Sequence, residues 1–284
     1  MNRQLRHAVV AILAACPALC LGAQAAPKVA VSIPPQKAVV AAVVGDACDV
    51  LVLVDVGGDP HTFEPTPRQL AALRDRPIYF TIGLPFEQVL ADKLQKLHPT
   101  MRFVAMSPSP SMAPRHAAEL DPHVWMSPDR LAEHAAATAT ALARIDPTNA
   151  ARYAAGAADF AEKVAALKAG LAARLREADV AAFAVYHPAW GHFAEAFGLE
   201  QLAIEAHGQS PGARHLADFT KQVRERGVKT ILVQNEAERR RVAPFARQNN
   251  LRVAIVNPLA EDVIATLRAT ADALCGANAK PAGR

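Results

Sequence analysis

Short β-branched runs alternate with Ala- and Leu-rich segments along most of this chain, and this alternation limits the folds open to it. In the first half, helix-like segments such as QKAVVAAVV and RQLAAL separate the strand-like runs KVAVSI, DVLVLV, PIYFTI and MRFVAM. After about residue 178 the pattern resumes with VAAFAVY, LEQLAIE, KTILVQ and LRVAIV. Strands that alternate with helices usually form parallel sheets covered by helices. The sequence therefore predicts an α/β fold with two such units.

Between the two alternating regions the sequence becomes almost purely helical. One helical segment opens at Ser127 and Pro128, a suitable N-cap and first-turn pair. A second follows Asp146-Pro147 and carries apolar residues at helical spacing: Tyr153, Phe160, Val164, Leu167, Leu171 and Leu175. We predict two lobes, each a parallel sheet flanked by helices, joined by one long rigid helix. The predicted boundaries are 26–147 for the first lobe, 148–178 for the linking helix and 179–284 for the second lobe.

Residues 1–25 have the composition of a secretory signal peptide. Arg3 and Arg6 precede a mostly apolar run from Ala8 to Ala23, and the small-residue phrase AQA follows. The run is too short for a comfortable membrane span. The sequence thus predicts a periplasmic protein, exported by a signal peptide that is cleaved after Ala25. Acylation at Cys16, in a phrase that resembles a bacterial lipoprotein box, is the less favoured alternative.

Charge and cysteine content exclude some functions and leave others open. Removal of Arg3 and Arg6 with the leader lowers the formal charge from +4 to +2, because the leader contains no acidic residue. That balance is too even for a nucleic-acid-binding protein. Cys48 and Cys275 remain in the mature chain, which is compatible with one disulfide but does not imply it.

Three histidines stand where an apolar run gives way to Pro or Gly: His61 in GGDPHTFEPTP, His123 in ELDPHVWMSP and His187 in VYHPAWGHF. Ligands of open parallel sheets gather outside the carboxyl ends of the strands, so these loops are expected to face one cleft. We expect the first lobe to supply His61 and His123 and the second lobe to supply His187. Three imidazoles suit Zn²⁺ and similar cations and can hold them without a thiolate.

The residues alone leave two alternative functions open. An exported zinc-dependent hydrolase also uses three protein ligands and a water. The sequence, however, has no HExxH or GxSxG motif and no carboxylate clearly placed as a general base. A binding protein for an organic solute would need an aromatic-lined pocket, yet the chain has only three Tyr and two Trp.

Four phrases carry a resemblance to a known family: HTFEPTPRQ, DPHVWMSP, HPAWGHFAEAFGL and NPLAEDVIATL. In this order they resemble the metal-binding solute-binding proteins of bacterial ABC importers, the ZnuA-like zinc and manganese group, over essentially the whole mature chain. The resemblance implies a non-enzymatic protein that captures a divalent cation and delivers it to a membrane permease subunit. We expect a monomer, and the sequence leaves open whether a metallochaperone loads it.

The same resemblance places His61, His123 and His187 on the first three ligands of the family. A histidine at the third position resembles the zinc binders, whereas the manganese binders tend to have a glutamate there. Zn²⁺ is therefore the predicted cargo and Mn²⁺ the less favoured one. At the fourth position, where many relatives carry an aspartate, this chain has Asn257. Water, His207, Glu236 and Asn257 remain open as the fourth ligand.

The remaining aromatic and histidine residues are given supporting roles. We expect His192 to pack beside the site or to support a ligand rather than bind the metal directly. Trp125 and Trp190 are expected to wall the cleft, with ordinary core packing as the alternative. A final group of histidines is predicted to face solvent from helices or helix ends: His98, His134 and His215.

Overall fold

The computed structural model describes residues 27–45, 48–54, 57–106, 121–205 and 212–276. The predicted signal peptide, Cys16 and His207 lie outside these residues. Within the described part of the chain, no helix is both long enough and apolar enough to cross a membrane.

The first lobe is a four-stranded parallel sheet with strand order β2-β1-β3-β4. Its strands are β1 (Lys28–Val31), β2 (Asp49–Val52), β3 (Ile78–Thr81) and β4 (Arg102–Ala105). Its helices are α1 (Pro34–Val44), α2 (Pro67–Ala72) and α3 (Pro85–Leu97). The central strands β1 and β3 are buried on both faces, as helices on both sides of a parallel sheet require.

The second lobe repeats this arrangement, with strand order β6-β5-β7-β8, all parallel. Its strands are β5 (Ala182–Val185), β6 (Glu200–Ala203), β7 (Thr230–Val233) and β8 (Arg252–Ile255). Its helices are α6 (Gly191–Phe197), α7 (Ala213–Glu225), α8 (Glu236–Gln248) and α9 (Val263–Cys275). The predicted fold class, two parallel sheets flanked by helices, is confirmed.

Two long helices lie between the two sheets along the chain, α4 (Pro128–Ile145) and the linking helix α5 (Ala150–Glu177). The hydroxyl of Ser127 accepts a hydrogen bond from the Arg130 amide and so caps α4, as its sequence predicts. A one-turn 3-10 helix, Pro147–Asn149, leads into α5. The apolar positions expected along α5 are buried: Tyr153, Phe160, Val164, Leu167, Leu171 and Leu175.

The long helix α5 packs against both lobes, which makes it a stiff connection rather than a flexible one. On the first-lobe side it approaches α1 so closely at Gly156 that a Cβ there would collide with the backbone carbonyl of Val43. On the second-lobe side Arg174 forms an ion pair with Asp272 of α9. Cys48 and Cys275, which the sequence could have paired, are both free.

Candidate metal centre

The structure brings His61, His123 and His187 together at the carboxyl ends of the strands. His61 lies in the loop after β2, His123 immediately precedes the 3-10 turn that leads into α4, and His187 follows β5 by two residues. The Nε2 atom of His123 lies 3.3 Å from that of His61 and 3.4 Å from that of His187. One nitrogen from each ring lies within 4.8 Å of the other two.

The geometry of the three rings suits a shared cation. Their centroids are 5.2 Å apart in every pair, and the planes are inclined to one another by 55° to 76°. Rings in this arrangement aim three nitrogen lone pairs toward one region from different directions, as a tetrahedral zinc site with one open position requires. The same chemistry could serve other borderline cations that prefer imidazole nitrogen.

The backbone at His61 is held by a turn within the first lobe. The Asp59 carboxylate accepts hydrogen bonds from the His61 amide and the Thr62 hydroxyl, which is the pattern of an Asx turn. Phe63 packs edge-on against Phe86 of α3, with ring centroids 4.9 Å apart. Burial, followed by the neighbouring rings of His123 and His187, lowers the pKa of His61 below its usual value. This favours the neutral imidazole, the form that binds metals.

Two carboxylates orient the other two rings. Asp121 lies 2.6 Å from Nδ1 of His123 and also accepts a hydrogen bond from the His123 amide. Glu205 lies 3.0 Å from Nδ1 of His187. A carboxylate on Nδ1 places the proton there, so Nε2 presents its lone pair to the centre. The two negative charges also compensate part of the charge of a divalent ion.

Burial raises the pKa of Asp121, but the hydrogen bonds and charge of His123 outweigh this effect, and the net pKa lies below its usual value. The carboxylate is therefore ionised at neutral pH. Sequence reasoning missed Asp121 and Glu205 as supporting residues. A signal was present for both: Asp121 stands two residues before His123, and Glu205 directly follows the strand-like run LEQLAI.

The candidates for a fourth ligand differ in their surroundings. Glu236 is exposed and forms ion pairs with Arg239 and Arg240, so the structure does not bring it to the cluster. The side-chain oxygen of Asn257 is exposed and accepts a hydrogen bond from the Leu259 amide. His207 lies outside the described residues. Both candidates that the structure describes, Glu236 and Asn257, are therefore already engaged by other groups.

Of the residues predicted to support the site, His192 and Trp125 lie beside it, whereas Trp190 lies in the core. His192 is buried, and its Nε2 lies 3.0 Å from the backbone carbonyl of Asp121, so it contacts the residue that orients His123. The Trp125 ring lies 5.2 Å from the His123 ring and forms one wall of the site. Trp190 is fully buried and donates from Nε1 to Thr270, which is core packing.

The prediction that His134 faces solvent is wrong, since only 1% of this residue is exposed. It lies on the buried stripe of α4 with Leu131, Ala135 and Leu142. Its Nε2 is buried and has no hydrogen-bond partner among the residues that the structure describes. Burial lowers the pKa of His134 to about 3, and the nearby Arg130 and His192 act in the same direction. His215 is exposed, as predicted, and His98 is half-buried.

Known proteins resemble this chain over most of its length. The sequence model of the family described as "ZnuA: Zinc-uptake complex component A periplasmic" matches residues 29–276. The high-affinity zinc uptake system protein ZnuA of Paracoccus denitrificans is 27% identical over 263 residues, which cover 78% of this chain and 81% of that protein. A zinc-bound deletion mutant of ZnuA superposes with a TM-score of 0.81 at 33% identity, covering 90% of this chain and 99% of that chain.

A longer relative matches only in part. The zinc-binding protein AdcA of Streptococcus pyogenes serotype M1 is 25% identical over 244 residues, which cover 76% of this chain and 47% of AdcA. The chain thus spans about half the length of the AdcA proteins it matches. Because the family model covers nearly the whole described fold, with its two sheets and long connecting helix, the chain belongs to the ZnuA family, zinc-uptake complex component A.

Proposed function

We propose that this chain is an exported zinc-binding protein that delivers Zn²⁺ to the membrane permease of an ABC importer. His61, His123 and His187 are the three protein ligands in this proposal. The observation that carries it is the cluster of three imidazole nitrogens within 4.8 Å of one another, drawn from three separate loops. The relatives named ZnuA and AdcA are zinc-uptake and zinc-binding proteins, which supports the choice of cargo.

The donor set favours zinc over manganese. Mn²⁺ prefers carboxylate oxygen and is low in the affinity order of divalent metals, whereas several imidazoles suit Zn²⁺. In this site both nearby carboxylates, Asp121 and Glu205, contact the outer nitrogens of the ligand rings instead of the centre. In this proposal the ion is therefore coordinated by imidazole nitrogens, and the two carboxylate charges lie on the far side of the rings.

A binding role accounts for the site better than hydrolysis does. A zinc hydrolase needs a base beside the metal-bound water. Asp121 and Glu205 are each engaged by a histidine ring, and within the described ranges no other carboxylate joins the three-histidine group. Membership of a family of uptake components points the same way. We therefore treat the bound ion as cargo.

Location and partners follow from the same proposal. A periplasmic protein released from its signal peptide, or one anchored by a lipid, would meet the permease at the outer face of the inner membrane. We expect the released form, a monomer in solution. A membrane permease is the required partner, whereas loading by a metallochaperone is not required by the site.

Titration of the metal-stripped mature protein with Zn²⁺, Mn²⁺ and Ca²⁺ tests the proposal. We expect one zinc per chain, bound far more tightly than the other two ions. Affinity should fall in each of the single variants His61→Ala, His123→Ala and His187→Ala. Zinc binding no stronger than calcium binding would refute it. Turnover of ester or peptide substrates above that of free zinc would instead favour the hydrolase.

A further inference from the structure

His123 precedes the connecting helices in the chain, yet its segment is fastened to the second lobe. The carbonyl of Asp121 accepts a hydrogen bond from His192 in α6, at 3.0 Å. Trp125 donates from Nε1 to the carbonyl of Pro258, after β8, at 2.8 Å. Both contacts connect residues on either side of His123 to the second lobe.

The closest approach in this region is at Gly191, the first residue of α6. A Cβ built on Gly191 would lie 2.5 Å from Oδ2 of Asp121. Real Cβ atoms do not come so near to other heavy atoms, so the Asp121 carboxylate fits against α6 only because position 191 has no side chain. The same carboxylate holds Nδ1 of His123 at 2.6 Å. The position of His123 therefore depends on α6.

Residues in and just after strand β6 support both His123 and His187. Its residue Gln201 accepts a hydrogen bond from the Trp190 amide at 2.7 Å, which fixes the start of α6 on the sheet. Glu205, two residues after the strand, holds His187 and also donates its amide to the Tyr186 carbonyl. His123 and His187 are thus placed by one strand of the second lobe.

The His61 loop is held differently. Its turn is closed by Asp59, and Phe63 packs on Phe86, all within the first lobe. Among the residues that the structure describes, the hydrogen bonds of the 121–126 segment to other parts of the chain go to the second lobe, apart from the contact between the His61 and His123 rings. A movement of the lobes would separate His61 from the other two ligands.

We propose that the contact of Asp121 with Gly191 and His192 is a fixed joint that keeps His123 and His187 together as a preassembled pair, which His61 completes when the lobes meet. Gly191 and His192 are positioning residues in this scheme and do not contact the ion. The proposal rests on the proposed function for its cargo. Its geometry rests on the described residues alone.

Gly191→Ala is the direct test, with Gly170→Ala as the matched control, because a Cβ at Gly170 meets nothing within 4 Å. Zinc affinity would be measured by competition with a chromophoric chelator, and ligand geometry by the visible absorption of Co²⁺ in the same site. We expect Gly191→Ala to weaken zinc binding by about 10- to 100-fold, as loss of support for a ligand typically does. The Co²⁺ spectrum should change with it. The Gly170→Ala protein should match the wild type in both.

The His61→Ala background separates the joint from general closure of the cleft. We expect His61→Ala to retain weak zinc binding by the preassembled pair, and Gly191→Ala to weaken that remaining binding by a similar factor. Loss of all binding in His61→Ala, or disappearance of the Gly191→Ala effect in that background, would overturn the proposal. Wild-type affinity and an unchanged Co²⁺ spectrum in Gly191→Ala would overturn it as well.

Two further measurements keep the test decisive if Gly191→Ala folds poorly or the wild type fails to bind zinc. His192→Gln keeps a donor for the Asp121 carbonyl and should bind zinc with an affinity close to wild type. His192→Phe lacks this donor and should bind zinc more weakly. Equal affinity in the two variants would contradict the joint. Amide hydrogen exchange on metal-free protein measures how firmly the joint holds the 123–126 segment without any bound ion. Amide exchange at residues 123–126 should be faster in His192→Phe than in wild type. Equal exchange rates in the two proteins would overturn the joint. This outcome is independent of the proposed function, because it does not require zinc binding.

Discussion

Acidification should destabilise the folded protein through His134, by an amount that the structure allows us to calculate. The folded pKa is about 3 because the ring is buried, whereas an unfolded histidine has a pKa of about 6.5. Below pH 6.5 the unfolded chain therefore binds a proton that the folded chain excludes, and stability falls as pH decreases toward 3. Only the part of this change below the unfolded pKa contributes, about 1.5 of the two pH units between pH 7 and pH 5, so at about 1.36 kcal/mol per unit the loss is about 2 kcal/mol.

Urea unfolding of the metal-free protein at pH 7 and pH 5 measures this effect, with His134→Leu as the comparison. Both proteins share every other titrating group, so the difference between their pH-dependent changes isolates His134. We expect the free energy of unfolding of the wild type to fall by about 2 kcal/mol more than that of His134→Leu over this interval. An equal fall in the two proteins would refute the assignment of a buried, neutral histidine at this position.

Other predictions concern the support of the ligands and the connection between the lobes. Asp121→Asn and Glu205→Gln should each weaken zinc binding by about 10- to 100-fold in a chelator competition assay, because each removes a charge that orients a ligand ring; affinities equal to wild type would show that these carboxylates do not matter. Gly156→Ala should lower the free energy of unfolding by about 1 to 3 kcal/mol, because its Cβ collides with the Val43 carbonyl. Gly170→Ala, on the same helix with open space around it, should instead raise it by about 1 kcal/mol, and the same sign of change in both variants would contradict this packing.

The sequence predicts the architecture well because strand and helix formation here are encoded locally. The β-branched runs become the eight strands of the described structure, and the apolar spacing from Tyr153 to Leu175 becomes the buried face of α5. The strand-end rule brings His61, His123 and His187 toward one place, because parallel strands of a sheet end on one side. These inferences need no knowledge of particular side-chain contacts.

The roles of other residues depend on tertiary contacts that periodicity does not reveal. The sequence assigns His123 to the first lobe by its place in the chain, but its chain neighbours Asp121 and Trp125 hydrogen-bond to His192 and Pro258 of the second lobe. Glu205 becomes a partner of His187 only because β6 lies beside β5. His134 is missed for a different reason: histidine is usually polar and exposed, but here it lies on the buried face of α4 with Leu131, Ala135 and Leu142.

A crystal structure of the zinc-loaded protein, with anomalous data collected at the zinc edge, tests the central claim most directly. The account predicts one strong anomalous peak per chain, about 2.0 to 2.1 Å from the Nε2 atoms of His61, His123 and His187. Asp121 and Glu205 should remain on the outer nitrogens of their histidines. A zinc peak held by other residues, or one that lacks any of these three imidazoles, would contradict it.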